Sequence, residues 1–287
     1  MNAALTGHEM AEIRALIEAR SGILFDDSRE RFFSTRVREH LERKQLGGTA
    51  ELVRLLRSSN VEYDAFLEGL LTQETTFFRY PAVYEALETR VLPEIRTRKF
   101  WHDPRTLRIW SAGCSSGEEP YSIALTIAQT LPFAEAWDIR LWATDISKRA
   151  LEFAERGVYS RRSLANVDMG RRENYFTKVG EQFQVKARFR NMISFAPLNL
   201  AQPVYMGRFD CIFCMNVLIY FSEARRAQLI QRFHDSLEPG GYLFLGHAEF
   251  ISRASVKLET IVHRDCRIYR KPIDPPARAA AVTEARE

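Results

Sequence analysis

Ser111-Ala-Gly-Cys-Ser-Ser-Gly-Glu-Glu-Pro-Tyr121 follows on a short apolar run at 107–112 and leads into a segment at 120–131 with helical periodicity. A strand that ends in small residues and turns straight into a helix is the opening unit of an open α/β sheet. Small residues there let backbone approach a ligand beyond the strand's carboxyl end. The alternation continues along the chain. Residues 140–143, ending at Asp145, read as a strand, 147–156 as a helix and 209–215 as a buried strand. Residues 222–237 then read as a helix and 241–245 as another strand. The expected fold class is α/β, a parallel sheet covered by helices.

On the amino-terminal side, residues 1–75 read as helical throughout. Ile13, Leu16 and Ile17, then Phe32, Phe33, Val37 and Leu41, recur at helical spacing, and Asp26-Asp27-Ser28 is an N-terminal cap signal. Residues 76–271 form the expected second domain, interrupted at about 157–196. There Phe183, Val185 and Ala187 alternate with polar residues, Gly180-Glu181 suits a tight turn, and 192–195 forms a further strand. A small antiparallel β excursion inserted in the α/β domain accounts for this. The tail at 272–287, rich in Pro and Ala, is expected to be disordered.

The chain has 287 residues, 46% of them hydrophobic and 27% charged, which suits one large domain or two modest ones. No apolar run reaches the roughly 18–20 residues of a bilayer span. The first residues lack the basic and apolar regions of a signal peptide, and four cysteines do not make a disulfide framework. A cytoplasmic protein without membrane insertion is expected. The net charge of +4 is unevenly spread: between Gly157 and Arg190 stand eight basic residues against three acids. A second basic concentration, Arg29, Arg31, Arg36, Arg38, Arg43 and Lys44, lies early. Basic surface of this kind suits an acidic partner or is simply a solvated face.

The strand tips carry the chemistry. Asp145 ends the second strand about 30 residues after the glycine turn, where a carboxylate accepts both hydroxyls of a ribose. The dinucleotide pattern Gly-x-Gly-x-x-Gly and the Gly-Lys-Ser/Thr of a phosphate loop are both absent. Glu118 and Glu119 stand where a helix N-terminus would otherwise receive a pyrophosphate, and two carboxylates repel it. A nucleoside with a sulfonium and an ammonium but no phosphate, S-adenosylmethionine, fits better than NAD. Gly113-Cys-Ser115-Ser-Gly117 also matches the nucleophile elbow of α/β-hydrolases, but that fold places strands upstream, where this chain is helical.

Six further motifs carry a resemblance. Leu71-Thr-Gln-Glu-Thr-Thr-Phe-Phe-Arg79, Gly117-Glu-Glu-Pro-Tyr-Ser122, Ala143-Thr-Asp-Ile-Ser147, Pro197-Leu-Asn-Leu200, Phe213-Cys-Met-Asn-Val-Leu-Ile-Tyr-Phe221 and Pro239-Gly-Gly-Tyr occur in this order. Together they resemble the chemotaxis-receptor glutamate methyltransferases, the CheR family, over about residues 8–271. The resemblance implies a Rossmann-like S-adenosylmethionine methyltransferase domain, an all-helical N-terminal domain that docks on receptors, and a small inserted antiparallel β-subdomain. It implies methyl transfer from S-adenosylmethionine to glutamates in the cytoplasmic methylation region of chemoreceptors, with S-adenosylhomocysteine as product and no metal. Carried onto this chain, Gln73, Thr75 and Arg79 contact the methionine end of the cofactor, Glu118 its ammonium and Asp145 its ribose. Asn199, Leu200, Met215 and Asn216 surround the adenine and the remaining edge. Tyr220 sits beside the transferred methyl, and Arg79 with Tyr220 forms the catalytic pair.

Several ordinary alternatives stay open from the residues alone: Arg79 in a surface ion pair, Tyr220 as a core tyrosine, Asp145 as a helix cap before Ser147. A carboxyl methyltransferase of another acidic signalling protein, or a non-catalytic module that binds the cofactor, also fits these motifs. Glutamate is ionised near neutral pH and is already a nucleophile, so no general base is required. Arg31, Arg36, Arg38 and Arg43 on the early helix are the candidate substrate-docking residues. Nucleic acid is not the expected partner, since the Asn/Asp-Pro-Pro-aromatic tetrapeptide and a catalytic Pro-Cys are missing. Met215 stands where many family members have Arg. The tight Val179-Gly-Glu-Gln182 turn lacks the extra residues of members that grip a receptor's C-terminal pentapeptide, so that tether is not expected. Cys211-x-x-Cys214 lies in a strand, with side chains on opposite faces. A monomer is expected.

Overall fold

The computed structural model describes residues 7–273 except 103, 132, 204, 205 and 252–255. The first six residues and 274–287, hence most of the expected disordered tail, lie outside the described residues. Four helices come first: α1 (Gly7–Ser21), α2 (Glu30–Lys44), α3 (Thr49–Ser58) and α4 (Asn60–Leu70). Their shared core holds Ile13, Ile17, Phe33, Val37, Leu52, Leu56 and Phe66, all buried. Each such side chain contributes about 1.5–3 kcal/mol relative to exposure. The helical reading holds to Leu70 and then fails. Residues 71–76 have no regular structure. Asp26 makes no side-chain cap; a 3-10 turn, Asp27–Arg29, precedes α2 instead.

Helices α5 (Pro81–Ala86) and α6 (Leu92–Arg98) flank a π-helical turn, Leu87–Val91, and lead into β1 (Thr106–Ala112). Then come α7 (Glu118–Thr130), β2 (Asp138–Asp145), α8 (Lys148–Arg156) and β3 (Val158–Tyr159). Next are α9 (Met169–Tyr175), β4 (Phe176–Val179), β5 (Gln182–Val185), α10 (Ala187–Arg190) and β6 (Ile193–Pro197). The chain closes with β7 (Phe209–Cys214), α11 (Glu223–Ser236), β8 (Leu237–Leu245), β9 (Glu259–His263) and β10 (Cys266–Arg270).

The main sheet runs β6-β2-β1-β7-β8-β10-β9 and a small sheet runs β3-β5-β4. From β6 to β8 all neighbours are parallel; β10 is antiparallel to β8 and to β9. The sheet is therefore mixed, where the alternation of elements predicts a parallel one. The strand at 192–195 also differs from expectation. As β6 it joins the main sheet beside β2, and the inserted β structure is β3, β4 and β5 alone. Ala187, read as alternating strand, starts the one-turn helix α10.

Alternate residues of the central strands feed two cores. Ile109, Cys211 and Phe213 face one side of the sheet, while Trp110, Ile212 and Cys214 face the other. All four cysteines are free and buried. Strand β7 carries one buried acid, Asp210, which receives Lys99 Nζ at 2.6 Å, Arg98 Nη2 at 3.2 Å and the Arg108 N–H at 3.0 Å. A charge removed from water persists only with such partners.

The chain leaves β1 toward β2 on one side and later fills the other side with β7. The crevice between the carboxyl ends of β1 and β7 is therefore the topological switch point. Gly113 makes that crevice possible: its φ is +84°, and a Cβ there would stand 2.4 Å from Val217 Cγ2. Its N–H and that of Cys114 both donate to the Thr144 carbonyl, at 2.8 and 2.9 Å, tying the turn to β2. Gly113→Ala should lower stability by about 1–3 kcal/mol in denaturant unfolding. Adding Val217→Ala should recover only part of that loss, because the positive φ remains strained.

Candidate active site

Loops from the switch point and segments of the helical part enclose a cavity of about 730 Å³. Gln73, Thr75 and Arg79 line it from the irregular segment after α4. Asn199 and Leu200 line it from the loop after β6, and Met215, Asn216 and Tyr220 from the loop after β7. Asp145 reaches it from the tip of β2. The structure thus brings together nine of the ten residues assigned from sequence to the cofactor and the catalytic pair.

The tenth is Glu118, which does not line the cavity. It is buried at 3% exposure, accepts a 2.6 Å hydrogen bond from Ser116 Oγ and meets the Ser163 hydroxyl of the insert. Burial raises its pKa to about 6. Its neighbour Glu119 lines the cavity instead and accepts a 2.7 Å bond from Ser111 Oγ. Burial, aided by the nearby carboxylates of Glu249 and Asp145 and opposed by Arg79, pushes Glu119 up to about 8. Consecutive helical residues differ by about 100° in direction, so only one of an adjacent pair can face the cavity.

Two other carboxylates fix the loops around the cavity, Asp145 from its wall and Glu249 from behind it. Asp145 accepts the Ser115 N–H at 2.8 Å and the Ser147 N–H at 2.9 Å. Burial raises its pKa against these bonds. The cap of α8 is Ser147 itself, whose hydroxyl accepts the Ala150 N–H. Glu249, not singled out in the sequence, accepts N–H bonds from Asn216 at 2.9 Å, Gly246 at 2.6 Å and Ile219 at 3.3 Å. Asn216 has φ +60°, a conformation asparagine tolerates better than most residues. A Cβ on Gly246 would stand 2.7 Å from the Glu249 carboxylate. The loop carrying Asn216 and Tyr220 is thus held by one side chain 29 residues beyond Tyr220.

At the rim, Tyr220 shares a 2.8 Å hydrogen bond with Thr72, and the Arg29 guanidinium lies 4.5 Å from its ring centroid. Arg29 and Arg36 both line the cavity. Arg36 pairs with Glu39 at 2.8 Å. Arg31, Arg38 and Arg43 are exposed on α2 and do not line it. Arg79 donates to the Glu74 carbonyl at 2.7 Å. Asn199 donates to the Arg20 carbonyl at 2.8 Å, joining the loop after β6 to α1. Glu119 and Asp145 line the cavity within, Glu249 stands behind them, and Arg29, Arg36 and Arg79 line it toward the rim together with the exposed Glu74.

Ser115 Oγ is buried on the cavity wall without a hydrogen-bond partner among the described residues. Among the described residues no cluster of His, Cys, Asp or Glu is arranged to hold a metal ion, and no helix is long and apolar enough to cross a membrane.

Residues 73–266 match the family model described as CheR methyltransferase, SAM binding domain, and residues 8–71 match CheR methyltransferase, all-alpha domain. The chain is 36% identical to a probable chemotaxis protein methyltransferase of Rhizobium etli, over 83% of this chain and 90% of the relative. It is 34% identical to chemotaxis protein methyltransferase 2 of Vibrio cholerae, over 93% of this chain and 94% of the relative. For the chemotaxis protein methyltransferase of Escherichia coli the identity is 35%, over 87% of this chain and 86% of the relative. With both parts of its length matched, this chain belongs to the CheR methyltransferase family.

Proposed function

We propose that this protein transfers a methyl group from S-adenosylmethionine to glutamate side chains of chemoreceptors, forming γ-glutamyl methyl esters and leaving S-adenosylhomocysteine. The observation that carries this reading is the change of charge along the cavity. Its interior is lined by Glu119 and Asp145, with the Glu249 carboxylate close behind Glu119, which favours a cationic nucleoside over a phosphate-bearing one. Its rim carries Arg29, Arg36 and Arg79, which favours an approaching carboxylate. The unpartnered hydroxyl of Ser115 and the small-residue turn around Gly113 fit a polar ligand lying close to the backbone.

When bound, S-adenosylmethionine supplies an electrophilic methyl on a positively charged sulfur. The chain's own residues then bind, orient and exclude water. Glu119 takes the ammonium, a role the sequence assigned to Glu118, and Asp145 takes the ribose hydroxyls. Arg79 neutralises the cofactor carboxylate from the rim. Tyr220, its ring braced by Arg29 and its hydroxyl by Thr72, walls the side where the acceptor oxygen enters. Attack by an ionised glutamate on a sulfonium methyl cancels two opposite charges, so a site stripped of water assists it. Alignment of the attacking oxygen with the methyl does the rest. None of these side chains needs to move a proton.

Methylation of a purified receptor cytoplasmic fragment with radiolabelled cofactor tests the reading directly: label should appear on the fragment and be released by mild base, as esters are. Absence of label with protein that still binds S-adenosylhomocysteine would refute the substrate assignment. The buried Glu119 gives a second test. Below about pH 8 it is protonated in the free protein, and a ligand ammonium favours its carboxylate. S-adenosylhomocysteine binding should therefore release a proton and tighten between about pH 6 and 8, by up to about tenfold per pH unit. Glu119→Gln should weaken binding about tenfold to a hundredfold and flatten that pH dependence in calorimetry.

The β4–β5 hairpin closes in two residues, Gly180 and Glu181, with Gly180 at φ +60°. We propose that this hairpin does not hold a receptor's C-terminal pentapeptide; calorimetry with such a peptide should show no micromolar binding.

A further inference from the structure

The basic insert is not accounted for by the cofactor cavity, and its eight cations serve different ends. Arg172 donates to the carbonyls of Leu164 and Val167, Lys186 to that of Glu173, Arg188 to that of Asn174 and Arg190 to that of Arg156. These four brace the insert's own backbone. Arg171 pairs with Asp168 at 3.4 Å. Lys178, Arg161 and Arg162 are exposed and without a side-chain hydrogen bond or ion pair among the described residues, and Arg161 and Arg162 stand side by side in the sequence. The fold makes no use of their charge, and placing two like charges side by side costs rather than stabilises.

Their position is fixed. They begin the turn at 161–166, and that turn grips the cavity's edge through backbone. The Ser163 carbonyl accepts the Phe77 N–H at 3.1 Å, and Asn166 Nδ2 donates to the Phe77 carbonyl at 3.3 Å. Just before the turn, the Tyr159 hydroxyl donates to the Ser116 carbonyl at 2.7 Å, and its ring meets Phe77 edge-on at 4.8 Å. Phe77 lies between Thr76 and Arg79, which both line the cavity. A further insert cation, Arg171, stands over the Phe78 ring at 4.8 Å.

We infer that the turn carrying Arg161 and Arg162 is a second docking surface for the glutamate-bearing receptor segment that presents the methyl-accepting carboxylate. Arg29 and Arg36 meet that segment from the α2 side, and the insert meets it from the side of Arg79. This rests on the substrate class proposed above. Neither Arg161 nor Arg162 lines the cavity, so their contribution falls on capture of the substrate segment and on its salt dependence, not on the chemical step.

The test compares wild type with the double variant Arg161→Glu/Arg162→Glu in methylating the purified receptor cytoplasmic fragment over a series of salt concentrations. At low salt the variant's KM for the fragment should rise about tenfold, with kcat unchanged. Its KM should also climb less steeply with salt, and its affinity for S-adenosylhomocysteine should match wild type. The conservative Arg161→Lys/Arg162→Lys variant should retain the wild-type KM. An unchanged KM and salt slope in a charge-reversed variant that binds S-adenosylhomocysteine normally would overturn the inference. So would a loss of S-adenosylhomocysteine affinity, which would make the turn part of the cofactor site. Failure of the wild type itself to methylate the fragment would instead refute the substrate reading on which the inference is built.

Discussion

Anionic side chains that hold backbone N–H groups at the switch point are the constraint on which the site depends. Asp145 binds the turn after β1 and the start of α8, and Glu249 binds the loop after β7. Each fastens a segment with no regular hydrogen-bond ladder of its own, and does so with charge-assisted bonds, which are roughly twice as strong as neutral ones. The close approach of Val217 to position 113 is tolerable because glycine has no Cβ there. The two carboxylates act together with the bonds of Gly113 and Cys114 to Thr144 and of Leu24 to Tyr220 in setting Ser115 against Tyr220.

These same acids place negative charge in a buried space, and the protein accommodates it by letting Glu119 stay protonated until about pH 8. A cationic ligand converts that unfavourable burial into an attraction. The arginines at the rim have the opposite sign and lie where water and salt still screen them. The sign of the charge along the cavity thus changes with depth, and no single contact sets it.

Much of this is legible in the sequence wherever the signal is local. The helical core at Ile13, Ile17, Phe33 and Val37 follows from spacing on one helix face, and β1 with its glycine turn follows from a short apolar run ended by small residues. Other features depend on distant parts of the chain. Which of Glu118 and Glu119 faces the cavity is set by how α7 seats against the sheet. Glu249 acts on Asn216, 33 residues earlier, so no window of sequence joins them. Arg29 gains its meaning from Tyr220, nearly two hundred positions away. The β9–β10 hairpin turns through Arg264, at φ +50°, without the Asn-Gly or Asp-Gly pair that usually announces such a turn.

The helical part and the α/β part share more than a surface. Ile23 pairs with Phe221 as an isolated antiparallel bridge, and the Leu24 N–H donates to the Tyr220 carbonyl at 2.8 Å. The stretch leading to α2 is thereby stitched to the corner that bears the tyrosine. Recombining this protein with a relative at the link after α4 would separate two halves of one seam. A working chimera must transplant 218–221 together with its helices, and ancestral shuffling of these parts would have faced the same indivisibility.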